Sequence, residues 1–122
     1  MTRILVVDDE PDYPQLLGII LTKEGFEVKT ATSGEDACEI AATFLPDVLV
    51  VDWVLEGSQD GLAVAETIGK LNPSLQTVLI TGYPSVSLEN RVEKIPSVRF
   101  LTKPFTPSHL VELVRDAAGL KE

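Results

Sequence analysis

Residues 48–51 read Val-Leu-Val-Val, and the next residue is Asp52. Four consecutive aliphatic side chains leave no polar face, so this segment reads as a strand covered on both sides, as at the centre of a parallel sheet. Any fold proposed for the chain must therefore place layers above and below it. The aspartate that closes the run is a second constraint. A bare carboxylate is costly to bury, so one at the end of the most apolar strand is either paired or put to use.

The same grammar recurs along the chain. Residues 4–7 are aliphatic and close on Asp8-Asp9-Glu10; Pro11 suits a first helical turn, and Tyr13, Leu16, Leu17, Ile20 and Leu21 then form one helical stripe that stops near Gly25. Residues 26–31 read as a second strand. Ser33, backed by Glu35 and Asp36, opens a helix that turns Ala37, Ile40, Ala41 and Phe44 inward and ends at Pro46. Beyond Asp52, a polar loop over 56–61 leads to a helix carrying Leu62, Ala65 and Ile68, broken at Asn72-Pro73. Residues 77–80 form a fourth strand that runs into Thr81. The weakly periodic segment 85–94, between Pro84 and Pro96, is assigned a short helix. Residues 98–101 form a fifth strand, and Thr106-Pro107 open a last helix with Leu110, Leu113, Val114 and Ala117 inward. Five strand–helix alternations imply right-handed crossovers, a parallel sheet and helices on both faces. A length of 122 residues fits one α/β domain over 1–122.

In an open parallel sheet the ligand site lies beyond the carboxyl ends of the strands, where strand order reverses. Those ends carry Asp8, Asp9, Asp52, Thr81 and Lys103. Two like charges about 4 Å apart repel by roughly 4 kcal/mol at an effective dielectric of 20, so three carboxylates there need a cation. An all-oxygen set without histidine or cysteine selects a hard ion, and few protein ligands suit Mg²⁺, which shares its remaining positions with water and phosphate. Lys103 adds a fixed positive charge and Thr81 a hydroxyl donor. With phosphoryl oxygens stabilised in this way, Asp52 can act as a nucleophile and become an aspartyl phosphate.

With these motifs in order, the sequence resembles a response-regulator receiver domain, the phosphoacceptor half of two-component signalling. Val6-Val7-Asp8-Asp9-Glu10 is similar to the family's acidic pair, Asp52 to its acceptor, Ile80-Thr81-Gly82 to its hydroxyl motif, and Phe100-Leu101-Thr102-Lys103-Pro104-Phe105 to its lysine motif. The resemblance implies a flavodoxin-like sheet of order 2-1-3-4-5. It also implies Mg²⁺, or alternatively Mn²⁺, held by Asp8, Asp9, Asp52 and the Val54 backbone carbonyl. A cis Lys103-Pro104 bond and a Phe100 whose rotamer follows phosphorylation, acting with Thr81 as the switch, come with it. The implied donor is a histidine kinase or a histidine phosphotransfer protein. The output is a surface of helix 4, strand 5 and helix 5 read by a downstream protein or domain, or by a dimer formed on phosphorylation. The chain departs from the pattern after the acceptor, where Leu55 and Glu56 stand in place of methionine and proline and the loop to Asp60-Gly61 is slightly longer. The alanine-rich helix and Gly-Ala turn before the fifth strand are also replaced. Val54 and Tyr83 occupy positions that tune phosphoryl hydrolysis in the family.

Composition narrows the field further. A formal charge of −9 argues against direct nucleic-acid binding, which needs a basic face. A single cysteine, Cys38, rules out an internal disulfide, and no apolar run reaches membrane-spanning length, so the expected location is the cytoplasm. A phosphohydrolase of the haloacid dehalogenase type uses a similar set of groups, but its nucleophile lies in a DxD motif after the first strand, where this chain has Asp8-Asp9-Glu10 and no room for a substrate cap. A receiver-like interaction module that is never phosphorylated is the other rival. The expectation is a phosphoacceptor that supplies much of its own transfer chemistry without being a multiple-turnover enzyme. Simpler roles are expected elsewhere: Cys38 as a small buried residue, His109 on the surface of the last helix, and Trp53 as a partly exposed aromatic beside the site.

Overall fold

The computed structural model describes residues 2–55, 60–82 and 85–120. Five strands, β1 (Arg3–Val7), β2 (Glu27–Ala31), β3 (Val48–Asp52), β4 (Gln76–Thr81) and β5 (Val98–Thr102), alternate with five helices. These are α1 (Asp12–Lys23), α2 (Gly34–Phe44), α3 (Gly61–Leu71), α4 (Val86–Glu93) and α5 (Pro107–Ala117). All strand pairs are parallel, in the order β2-β1-β3-β4-β5. The aliphatic run over 48–51 is fully buried on the middle strand, as its composition requires.

Period-2 alternation sorts each strand between two cores. Leu5, Val7, Leu49, Val51 and Leu79 face α2 and α3 and meet Ala37, Ala41, Phe44, Val64 and Ile68; Leu88 and Val92 of α4 join the same cluster. Ile4, Val6, Val48, Val50, Val78 and Ile80 face the opposite way, against Leu17, Leu21, Leu110 and Val114 of α1 and α5. A sheet covered on both faces has few ways to slip register, because a one-residue shift would exchange its two cores.

Four helices start on a side-chain cap. Ser33, Asp60, Ser85 and Thr106 accept from the amides of Asp36, Ala63, Leu88 and His109 at 3.1, 2.8, 3.1 and 3.1 Å. Helix α4 is only eight residues long and buries only Leu88 and Val92, which explains its weak periodicity. Helix α1 differs from the sequence expectation. Its buried line is Pro14, Leu17 and Leu21, while Leu16 is 54% exposed. Centring the stripe on Leu17 turns Leu16 about 100° away from the sheet. Pro14 is tolerated there because the first turn has no intrahelical acceptor for its missing N–H. Cys38 is half-buried against the core rather than fully buried, and its thiol pKa is pushed up by burial. His109 is exposed, as expected. Glu56, Tyr83 and Pro84, which figured in the sequence reading, lie outside the described residues.

Candidate functional site

The chain passes from β1 to β2 on one side and then returns to β3 on the other, so the carboxyl ends of β1 and β3 flank the topological switch point. Asp8 directly follows β1, and Asp52 is the last residue of β3. Backbone bonds at the strand ends fix the residues around them. The amide of Asp8 donates to the Ala31 carbonyl at 3.2 Å, that of Trp53 to Ile80 at 2.8 Å, and that of Lys103 to Thr81 at 2.8 Å. Asp52 pairs with Ile80 across the ladder, so Thr81, buried at the end of β4, stands one residue further out. The five polar residues are thus mounted at the ends of four neighbouring strands, β1, β3, β4 and β5.

Carboxylate oxygens of Asp8, Asp9 and Asp52 lie within 4.8 Å of one another, close enough for one small ion to draw them together. Lys103 Nζ stands 3.6 Å from Asp8 Oδ2 and 3.6 Å from Asp52 Oδ2. Asp8 also accepts the Glu10 amide through Oδ1 at 2.9 Å, which orients it. Burial is the main influence that raises the pKa of Asp8, with Asp9 adding to it; the Glu10 amide and Lys103 pull the other way without cancelling it. Asp52 is raised first by burial and then by Asp8 and Asp9, against Lys103 and the Val54 amide. Burial would lower the Lys103 pKa, but the attraction of Asp52 and Asp8 outweighs it and the ammonium is held more firmly protonated. The single lysine therefore leaves the carboxylates under-compensated. Three such oxygens, with neither histidine nor cysteine among them, fit a hard divalent cation.

That imbalance has a thermodynamic sign. Because Asp8 and Asp52 have folded-state pKa values above the ordinary 3.8, their contribution to stability is complete below that value and is lost as pH rises through the raised values. Without metal, Asp8→Asn will therefore melt above wild type at pH 7 by about 4 °C, the change that roughly 1 kcal/mol produces in a domain of this size. The gap will close near pH 4. Added Mg²⁺ will raise the wild-type melting temperature and leave the variant nearly unmoved. Melting curves in EDTA and in Mg²⁺ at the two pH values check all three outcomes.

A sequence model of the response regulator receiver domain matches residues 4–115. The chain belongs to the response-regulator receiver family. It is 33% identical to the nitrogen assimilation regulatory protein NtrX of Azorhizobium caulinodans over 115 residues, covering 93% of this chain and 25% of that protein. Among solved structures, it overlays a receiver domain from Clostridium thermocellum with a TM-score of 0.88 at 26% identity, covering 98% of this chain and 95% of that one. NtrX from Brucella abortus, solved in complex with ATP, gives a TM-score of 0.86 at 33% identity, covering 96% and 27%. The receiver chain spans about a quarter of the length of NtrX from Azorhizobium.

Within this receiver, the Asp60-Gly61 pair has a local physical reason. Asp60 caps α3, and the Gly61 amide donates to the Trp53 carbonyl at 3.0 Å. A Cβ on Gly61 would overlap the carbonyl oxygen of Asp52 and press on Leu79. Gly61→Ala must therefore displace the backbone at Asp52. The expected cost is about 1–3 kcal/mol, read from urea midpoints.

The Lys103-Pro104 bond is cis, as the resemblance implied. Phe100 is half-buried on β5 opposite Leu79, against the core shared by α2, α3 and α4. The Val54 side chain is exposed while its amide bonds the Asp52 carboxylate. Trp53 is partly buried, with the Arg91 guanidinium 5.2 Å from its ring centre. One neighbour of the site was read in the sequence only as part of an apolar stripe. Tyr13 places its ring centre 4.2 Å from Lys103 Nζ. The available signal was its position in the first turn after Asp9, at the end of the sheet where the site forms.

Proposed function

We propose that the chain accepts a phosphoryl group on Asp52 from a phosphohistidine, carried by a sensor histidine kinase or a histidine phosphotransfer protein, in a Mg²⁺-dependent reaction. The observation that carries this reading is the convergence at the β1/β3 switch point: three carboxylates within 4.8 Å, with one ammonium 3.6 Å from two of them. A carboxylate oxygen of Asp52 attacks phosphorus, the P–N bond to the donor imidazole breaks, and its electron pair returns to that ring. The product is an acyl phosphate. Asp8, Asp9, Asp52 and the Val54 carbonyl would hold Mg²⁺, or Mn²⁺ in its place, which when bound would supply charge to offset the phosphoryl oxygens. Lys103 Nζ approaches one of those oxygens and the Thr81 hydroxyl donates to another.

The new dianionic group then competes for Lys103 and Thr81, and this biases the surface formed by α4, β5 and α5, through Thr81 and Phe100 as the switch. That surface is the output, read by a downstream protein or domain or by a second phosphorylated copy. The acidic chain leaves nucleic acid to another domain, and it works in the cytoplasm; among the described residues no helix is long and apolar enough to cross a membrane.

The chain is an acceptor that assists its own phosphorylation and dephosphorylation, not a multiple-turnover enzyme. Incubation with acetyl phosphate and Mg²⁺ tests this reading. One phosphoryl group per chain is expected. Sustained release of phosphate from p-nitrophenyl phosphate would favour a phosphohydrolase and sink the proposal.

A further inference from the structure

Lys103 is held loosely by its acids. Its 3.6 Å distances to Asp8 and Asp52 exceed those of a short charge-assisted hydrogen bond. Its ammonium also lies over the face of Tyr13, 4.2 Å from the ring centre, well inside cation–π range. That ring is itself braced. Tyr13 meets Phe105 edge to face, with ring centres 6.3 Å apart and planes at 63°, and both pack against the core beneath α1 and α5.

We propose that Tyr13 is a positioning residue for Lys103, its ring face being the seat that keeps the ammonium aimed at the acceptor while the carboxylates are engaged by a cation. The inference rests on the function proposed above. A lysine has a long, flexible stem, and fixing it costs rotamer freedom. Once a divalent cation shares the charge of Asp8 and Asp52, the two anions hold the ammonium less strongly. Attraction to a ring quadrupole does not depend on those anions. The Tyr13 seat therefore persists in the state that carries out phosphoryl transfer. A residue serving only as core filler at position 13 would need bulk and apolarity, which leucine also supplies; a seat for a cation needs an aromatic face.

Tyr13→Leu and Tyr13→Phe in the full chain separate these roles. The Lys103 ε-methylene protons, assigned by their loss in Lys103→Arg, should resonate upfield through the ring current in wild type and in Tyr13→Phe, with EDTA and with saturating Mg²⁺. In Tyr13→Leu the upfield shift should vanish. The initial rate of phosphorylation by acetyl phosphate at saturating Mg²⁺ should fall about five- to tenfold in Tyr13→Leu and stay within about twofold of wild type in Tyr13→Phe. If Tyr13→Leu does not fold, Tyr13→Met takes its place, with the same expectations. A leucine or methionine variant that is phosphorylated at the wild-type rate overturns the inference and leaves the proposed function standing. So does a phenylalanine variant as slow as leucine, or a wild-type upfield shift that collapses when Mg²⁺ binds. A wild-type protein that takes no phosphoryl group at all overturns both.

Discussion

Lys103→Ala is expected to slow phosphorylation by acetyl phosphate by roughly 100-fold, the usual effect of removing one preorganised group that stabilises a developing anion. The same substitution should tighten Mg²⁺ binding several-fold. The two effects have opposite signs because the ammonium plays two parts. It stands 3.6 Å from both Asp8 and Asp52 and partly neutralises the charge that attracts a cation. In the proposed transfer it faces the phosphoryl oxygens. Trp53, directly after Asp52, reports metal binding through its fluorescence, and intact mass against time reports phosphorylation. If both affinity and rate fell, Lys103 would instead be holding the carboxylates in place, and its assignment to the phosphoryl group would fail.

Much of this architecture is legible in the sequence, for identifiable reasons. A parallel strand buried on both faces must be nearly all aliphatic, so 4–7 and 48–51 declare themselves, and the polar residues that end the strands then fall at the switch point without further information. Helix faces are less secure. Leu16 and Ile19 are as apolar as Leu17 and Leu21, yet they stand exposed, because only the sheet decides which side of α1 it covers. Helix α4 carries two buried residues in eight, too few to set a period, and its start is fixed by the Ser85 cap instead. Contacts between distant segments are the least legible. Tyr13 reads as one more stripe residue until the fold brings Lys103 across from the other end of the chain; its place in the first turn after Asp9 puts it near the site but does not report that contact. Gly61 likewise reads as half of a turn pair, whereas its reason is the Asp52 carbonyl lying against it.

The electrostatics of the site join these observations. Burial and mutual repulsion disfavour charge on Asp8 and Asp52, and one lysine does not restore the balance. The fold therefore maintains an anionic pocket that gains stability from a cation. Asp52 within it closes the central strand β3, whose residues 48–51 are fully buried, so the proposed acceptor has a rigid mount.

Intact-mass analysis of wild type and Asp52→Asn after incubation with acetyl phosphate and Mg²⁺ bears most directly on this account. Wild type should gain one phosphoryl group, about 80 Da, the increment expected when a carboxylate becomes an acyl phosphate. The adduct should be absent when EDTA replaces Mg²⁺. Asp52→Asn keeps the shape of the side chain but removes the nucleophilic carboxylate, and its mass should not change. A variant labelled to the same extent as wild type, or a wild type that remains unlabelled, would contradict the assignment of Asp52 as the phosphoryl acceptor.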